Sequence, residues 1–359
     1  MLSVLQVLHQ GGGAGSVTST LHLSLGLARS GVQVRFACPP DSDVEALARD
    51  GGLEVLPLSL EAGQRRANAN RLKGLLERHP AHLVNSQSAR DREALTWLAL
   101  TRQLRVPLVV TRRQMPHTFP LENWIMSHVA TRVIAVSRAV GEALVRRGTP
   151  RRKLTVIPNG LVTDRIDCPV DIESREEWRR RIGWEPTRRV VGIVSRPKDQ
   201  DIVLRALDSI EIPLRLVLAG VDPGSPLGNL GRRVPERHSV VCLPFTPEVR
   251  PLYDLLELVL LPSRSEGLSQ ALLEAMALGK PVIASAAGGN LEVITNDADG
   301  RLVAPLEPAG WAHAIEELLV NPALAHRLGA AARGAARDRY ALKHTVSRTA
   351  ELYRSLVLH

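Results

Sequence analysis

Glu266 and Glu274, with seven residues between them, bracket the string Gly267-Leu-Ser-Gln-Ala-Leu-Leu273. A glycine directly after one carboxylate, followed by a run of helix formers, sets both acids around the start of a helix. The N–H groups of Gly267, Leu268 and Ser269 would then open that helix as unpaired donors. Such a terminus favours an anion, through those donors and through the helix dipole. Two cations, Arg196 and Lys198, close another apolar run at Val190-Val-Gly-Ile-Val-Ser-Arg-Pro-Lys198.

The elements that must position these groups can be read around them. The apolar run 255–261 predicts a buried strand, and 268–278 has helical length. Gly279 is placed to stop that helix, and Pro281 follows it. Glu266 therefore falls in a strand-to-helix loop and Glu274 about two turns into the helix. A loop at the C-terminal end of a parallel strand is where open α/β sheets bind ligands.

The longer string resembles the signature of the retaining glycosyltransferases of family four, also called glycosyl transferases group 1. It carries, in order, Pro262-Ser, Glu266-Gly, Leu273-Glu-Ala-Met-Ala277, Gly279-Lys-Pro-Val-Ile-Ala284 and Gly288-Gly-Asn-Leu-Glu292. The resemblance covers nearly the whole chain, strongly in the C-terminal half and loosely in the N-terminal half. It implies the GT-B architecture, two doubly wound parallel-sheet Rossmann-like domains facing a central cleft. It also implies that Glu274 holds the ribose hydroxyls of a nucleotide-sugar. Glu266 and the amides of Gly267, Leu268 and Ser269 would face the donor sugar and diphosphate. Arg196 and Lys198 stand where the family neutralises the diphosphate, and a departing nucleoside diphosphate gains charge in the transition state. Here the loop between them is shorter than is usual, and Asp199 replaces a common glycine.

The alternation of strands and helices agrees with this architecture. Strands are expected at 4–8, 32–37, 53–56, 82–85, 108–111, 133–136 and 154–157. Helices at 16–29, 43–49, 65–77, 90–102 and 138–147 separate most of them. Strand character is lost over 164–187, which reads as a linker plus a helix. Strands resume at 190–194, 214–218, 239–243, 255–261, 281–285 and 300–303, and the chain reads as helical after 307. The expected division is an acceptor domain over 1–163, the linker 164–187, and a donor domain over 188–342. The resemblance implies that a last helix, about 343–359, packs back on the first domain. Ile157-Pro-Asn-Gly-Leu161 resembles the family's hinge, with Asp164 near the place of a usual aspartate.

The N-terminal half offers weaker signals. Gly11-Gly-Gly-Ala-Gly15 lies between the first strand and the first helix. A dinucleotide fingerprint would need a third glycine where Ser16 stands, and a P-loop would need a lysine that is absent. Gly12 and Gly13 fit either a tight turn or, by the resemblance, a close approach to donor phosphates. The segment Val84-Asn-Ser-Gln-Ser-Ala-Arg-Asp-Arg92 resembles members of the bacterial lipopolysaccharide and capsule type, with Gln87 where those carry histidine. Gln87 cannot act as a general base but can hydrogen-bond a sugar hydroxyl. Gln87, Asp91, Arg92 and His117 are the acceptor-site candidates, although a lone loop histidine such as His117 is more often structural or exposed. Asp41-Ser-Asp43 reads as a helix cap rather than a metal site, and neither a metal nor a cofactor is expected.

Composition bounds the reading. The 359 residues exceed what one core normally holds. Aromatics are 3% of the chain, which argues against base stacking on aromatic platforms, and no recognised nucleic-acid module is present. The net charge of +9 comes in clusters such as Arg112-Arg113, Arg151-Arg-Lys153 and Arg179-Arg-Arg181. Those fit a solvated arginine-rich surface, or attraction to anionic lipid headgroups or an acidic acceptor. Cys38, Cys168 and Cys242 are scattered without metal spacing, which fits a reduced, cytoplasmic setting. No apolar run reaches the ~20 residues of a membrane span, and the opening residues read as a strand rather than a secretion signal. The expectation is a cytoplasmic glycosyltransferase, peripheral to the membrane. It would move a sugar from a nucleotide-diphosphate-sugar to a glycan or glycolipid of the cell surface. Two rivals stay open: a nucleotide-sugar epimerase of the same fold, and a non-catalytic nucleotide-sugar-binding protein.

Overall fold

Most of the strands are short runs of Val, Leu and Ile buried on both faces, the pattern of a parallel sheet covered by helices. In the computed structural model, which describes residues 1–12, 15–117, 119–246 and 248–357, they form two sheets. The first contains β1 (Ser3–Val7), β2 (Gln33–Cys38), β3 (Glu54–Pro57), β4 (Leu83–Ser86), β5 (Leu108–Arg112), β6 (Arg132–Ala135) and β7 (Leu154–Val156), in the order β3-β2-β1-β4-β5-β6-β7. The second contains β8 (Arg189–Val194), β9 (Leu214–Ala219), β10 (Ser239–Leu243), β11 (Leu258–Leu261), β12 (Val282–Ser285) and β13 (Arg301–Val303), in the order β10-β9-β8-β11-β12-β13. Every ladder is parallel, from β1 with β2 and β4 to β8 with β9 and β11. Both sheets are doubly wound, and the strand order reverses between β1 and β4 and between β8 and β11. Those two switch points mark the ligand crevices of such sheets.

Two compact units contain these sheets, one of Met1–Gly160 with the residues from Leu342 on, the other of Leu161–Ala341. The stretch expected as a linker belongs to the second unit. Its helix Ile172–Ile182 is capped by Asp171 and ended by Gly183 at φ +61°, and it buries Trp178 and Ile182. The core of the second unit joins Val191, Leu216, Leu258 and Ile283 of the sheet to Trp311 and Ile315. In the first unit, Val346, Ala350 and Tyr353 of the last helix, Leu342–Val357, share a core with Val4, Leu27 and Phe36. That helix lies close on Gly15–Arg29: a Cβ on Gly26 would sit 2.4 Å from Val346 Cγ2.

Tyr353 also carries a polar anchor into the sheet. Its hydroxyl accepts from Gln6 Nε2 at 3.2 Å and from the Asn85 side-chain amide, and all three residues are fully buried. Burial pushes the phenol up to about 12. Tyr353→Phe leaves two buried amide donors without that partner, and should lower stability by about 1–3 kcal/mol. Urea unfolding measures the loss, and an unchanged midpoint would show that the amides find other acceptors.

The structure departs from the sequence expectation at several points. The strand expected over 255–261 begins only at Leu258, because Leu255 closes a short helix, Arg250–Leu255. The helix after β11 runs from Gln270 to Ala277 rather than from 268, because Ser269 takes the N-cap and its hydroxyl accepts from Leu272 N at 3.3 Å. An additional helix, Pro120–Val129, lies between β5 and β6.

Candidate functional site

The residues after β8 form a tight loop held from inside. Gln200, fully buried, donates through Nε2 to Ser195 Oγ at 3.0 Å and to the Arg196 carbonyl at 2.9 Å, and its Oε1 accepts from Lys198 N. Gly220, at φ +99° past the end of β9, lies so close that a Cβ would sit 2.7 Å from the Ser195 carbonyl oxygen. Thus fixed, the loop presents Arg196 and Lys198 outward at the C-terminal end of β8.

The loop after β11 meets it across the switch point. Lys198 Nζ pairs with Glu266 Oε1. The neighbouring Asp199 receives the Arg264 backbone amide at 2.8 Å and the Arg264 Nε at 2.7 Å. The aspartate that replaces a common glycine therefore ties the loop of the cations to the loop of the carboxylate. Ser263 N donates to Ser285 Oγ at 2.9 Å, joining the ends of β11 and β12.

A third segment supports Glu266 from behind. Gly289 N donates to the Glu266 carbonyl at 3.0 Å. Gly288 has φ +53°, and a Cβ there would lie 2.3 Å from the Glu266 carbonyl oxygen; on Gly289 it would lie 1.9 Å from that of Gly267. The pair is glycine because the Glu266–Gly267 backbone rests directly on it. Asn290 Nδ2 holds the turn by donating to the Ser285 carbonyl at 3.0 Å.

Glu266 is buried but for a small face, Gly267 and Leu268 are buried in the loop, and Ser269 caps the helix that carries the half-buried Glu274. Beneath that helix the Tyr253 hydroxyl donates to the Ala271 carbonyl at 3.2 Å. Burial, and then the charge of Glu274, push the Tyr253 phenol well above its ordinary value. Because the helix begins at Gln270, the amides of Gly267 and Leu268 belong to the approach loop rather than to the first helical turn. The second unit thus brings together Arg196, Lys198, Glu266, Gly267, Leu268, Ser269 and Glu274. It adds Asp199, Gln200, Gly220, Arg264 and the pair Gly288–Gly289, which the sequence reading did not assign.

The acceptor candidates of the first unit are placed less uniformly. Gln87 follows β4 and is buried, giving Nε2 to Gln6 Oε1 at 2.6 Å and accepting Arg113 Nη2 at 3.0 Å. Arg113 also donates to Asn159 Oδ1, and burial pulls its guanidinium down to about 10. Asp91 is not open to a ligand. It is fully buried and accepts from Ser86 Oγ and Gln87 N, both at 2.8 Å, Ser88 N at 2.9 Å and His9 Nδ1 at 3.1 Å. These bonds satisfy a carboxylate that caps the helix Ala89–Leu100. Arg92 lies half-buried with Nη1 on the Ser88 carbonyl at 3.2 Å, and burial lowers its guanidinium. His117 is exposed. Gly12 is exposed after β1, where a Cβ would lie 3.1 Å from Asp43 Oδ2; Gly13 lies outside the described residues.

The chain is similar to known proteins over most of its length. The family model described as glycosyl transferases group 1 matches residues 174–335, and that of glycosyltransferase family 4 matches residues 13–165. A D-inositol 3-phosphate glycosyltransferase of Xylanimonas cellulosilytica is 29% identical over 91% of this chain and 88% of its own length. An uncharacterized glycosyltransferase of Methanocaldococcus jannaschii is 30% identical over 55% of this chain and 53% of its own. Among solved structures, Anabaena HepE in complex with UDP-glucose aligns with a TM-score of 0.85 at 21% identity, covering 99% of this chain and 100% of that one. WaaG, a glycosyltransferase involved in lipopolysaccharide biosynthesis, aligns at 0.74 with 18% identity, covering 98% and 99%. At those identities the two structures show a common fold.

Proposed function

The chain belongs to the glycosyl transferases group 1, and from that premise we propose that it moves a sugar from a nucleoside-diphosphate donor to a hydroxyl of a glycan or glycolipid, retaining the anomeric configuration. The observation that carries this reading is the meeting of Arg196 and Lys198 after β8 with Glu266 after β11, at a switch point of the second sheet. In the proposed mechanism Glu274 holds the ribose hydroxyls. Glu266, with the backbone of Gly267, Leu268 and Ser269, orients the donor sugar. Arg196 and Lys198 stabilise the charge that builds on the leaving diphosphate. Their cations do the work a metal ion does in other transferases, so the reaction is proposed to need neither metal nor cofactor. With no protein base assigned, the acceptor proton leaves on the departing phosphate, on the face where the new bond forms. Lys198 is held by Glu266 in this structure, and donor binding has to exchange that partner for phosphate oxygens.

For the first unit the proposed acceptor contacts are Arg92 and His117; Asp91 and Gln87 are withdrawn from that set, since both are buried with their polar atoms already paired. The acceptor is proposed to belong to lipopolysaccharide or another cell-surface polysaccharide, with the enzyme at the cytoplasmic face of the membrane. No helix among the described residues is long and apolar enough to cross a membrane.

Calorimetry with UDP, GDP and ADP tests the donor site. One of them should bind in the micromolar range. Glu274→Ala removes both ribose hydrogen bonds and should weaken that binding about tenfold or more. Absence of binding by all three, or equal affinity in the variant, would overturn the assignment.

A further inference from the structure

The helix Pro120–Val129 buries two polar residues beside Met126 and carries large apolar side chains on its outer face. Its inward residues Asn123, Met126 and Ser127 are 1%, 4% and 0% exposed. Phe119 at its N-cap, Leu121 and Trp124 are 75%, 67% and 48% exposed. On an aqueous surface the outer face of a helix normally carries polar side chains. Hydrogen bonds fix this one: Asn123 Nδ2 donates to Thr149 Oγ1 at 2.9 Å and to the Arg147 carbonyl at 3.0 Å. Asn123 Oδ1 accepts from Arg112 Nη1 of β5 at 3.4 Å. The orientation is thus built in, and three large apolar side chains are left in water, two of them from a chain with only three Phe and five Trp.

A basic run borders the same face. Gly148, at φ +90°, passes so near Trp124 that a Cβ would lie 3.1 Å from the indole Cδ1. Farther on, Lys153 Nζ donates to the His128 and Ala130 carbonyls at the end of the helix, at 2.5 and 2.8 Å. The segment between them places Arg151 and Arg152 in solvent, with Arg146 just before it. The acids nearby are Glu122, exposed on the helix, and Glu142, which is engaged by Arg151 at 2.9 Å.

From this juxtaposition we infer that the face docks on an anionic lipid surface, with Phe119, Leu121 and Trp124 entering the headgroup boundary and Arg146 and Arg152 meeting lipid phosphates. Three apolar side chains bury too little to hold a protein on a bilayer alone, and an adjacent cationic cluster supplies the second attraction such binding needs. A second copy of the chain is the poorer occupant, because a two-fold contact would set this basic run against itself. The inference stands independently of the donor site.

Co-sedimentation of the full chain with vesicles tests it. Vesicles of phosphatidylcholine mixed with phosphatidylglycerol should capture the protein and release it as salt rises, while pure phosphatidylcholine should capture little. Phe119→Ser with Leu121→Ser, and separately Arg146→Glu with Arg152→Glu, should each cut the partition about tenfold or more. Circular dichroism checks that the variants fold, with Phe119→Ser alone as the milder substitute. Equal capture by both vesicle types, no capture, or unchanged capture of the folded variants would overturn the inference. So would a dimer in sedimentation velocity that Phe119→Ser with Leu121→Ser dissociates, since it would assign the face to a second copy.

Discussion

Gly289→Ala should leave the protein folded and lower its transferase activity about a hundredfold or more. The expectation rests on geometry that no side-chain rotation relieves. A Cβ at Gly289 would lie 1.9 Å from the Gly267 carbonyl oxygen, far inside contact, and the obstacle is backbone. The strand β12 that leads into the turn is pinned by ladders on both sides. β11 is pinned likewise, between β8 and β12, so the two loops that follow these strands must part, and the Glu266–Gly267 loop is displaced from its position. Its displacement shifts Glu266, breaks the 3.0 Å bond from Gly289 N to the Glu266 carbonyl, and carries away the partner of Lys198. A shift of about 1 Å at a site that orients a reacting sugar can cost about a hundredfold. Turnover of the donor found by calorimetry measures the loss, and the melting temperature separates it from unfolding. Wild-type turnover in the variant would mean that the Glu266 loop does not position the donor. Gly288→Ala should act in the same direction, with added strain from its φ of +53°.

How much of this could be read in advance depended on whether a residue's partners lie near it in sequence. The strands of both sheets were legible because continuous runs such as Val190-Val-Gly-Ile-Val194 admit few other readings. Glu266 and Glu274 were legible through the string that contains them. The roles of Asp199 and Gln200 were not, since Asp199 meets Arg264, sixty-five positions away. Gly288 and Gly289 were visible in the motif, but only the approach of Gly267 explains why a side chain is excluded there. The helix Pro120–Val129 escaped because its apolar residues fall on both sides: Met126 is buried with Asn123 and Ser127, while Leu121 and Trp124 face outward. The stretch 164–187 looked like a linker because its charges are dense, yet Trp178 and Ile182 sit on one face of a helix and give it a core contact. Asp91 was assigned to the acceptor site although Ser88-Ala-Arg-Asp91 spells the first four positions of a capped helix. That local signal was available and points to a structural role.

That role makes Asp91 a position in the first unit where substitution should cost stability. Asp91→Ala strips the acceptor from Ser88 N and Ser86 Oγ, and removes one of two acceptors of Gln87 N, the other being the Val7 carbonyl at 3.0 Å. The site is fully buried, so water does not replace the carboxylate freely. The loss should be about 3 kcal/mol, the scale of a lost cap plus unpaired buried donors. Asp91→Asn keeps the shape and one acceptor oxygen, and should cost less. The two variants also separate the charge from the shape. Burial works against ionisation of Asp91, but the hydrogen bonds from His9, from the Ser88 hydroxyl and from the Ser88 amide outweigh it and hold the carboxyl below its ordinary range. A carboxyl depressed in the folded state stabilises the fold at pH above its unfolded value, about 3.9, and loses that contribution as pH falls through the folded value. The gap in urea stability between the wild type and Asp91→Asn should therefore be full at pH 7 and shrink only below about pH 4. A gap that is constant down to pH 3, or a wild-type midpoint in Asp91→Ala, would show that the carboxylate carries no weight in the fold.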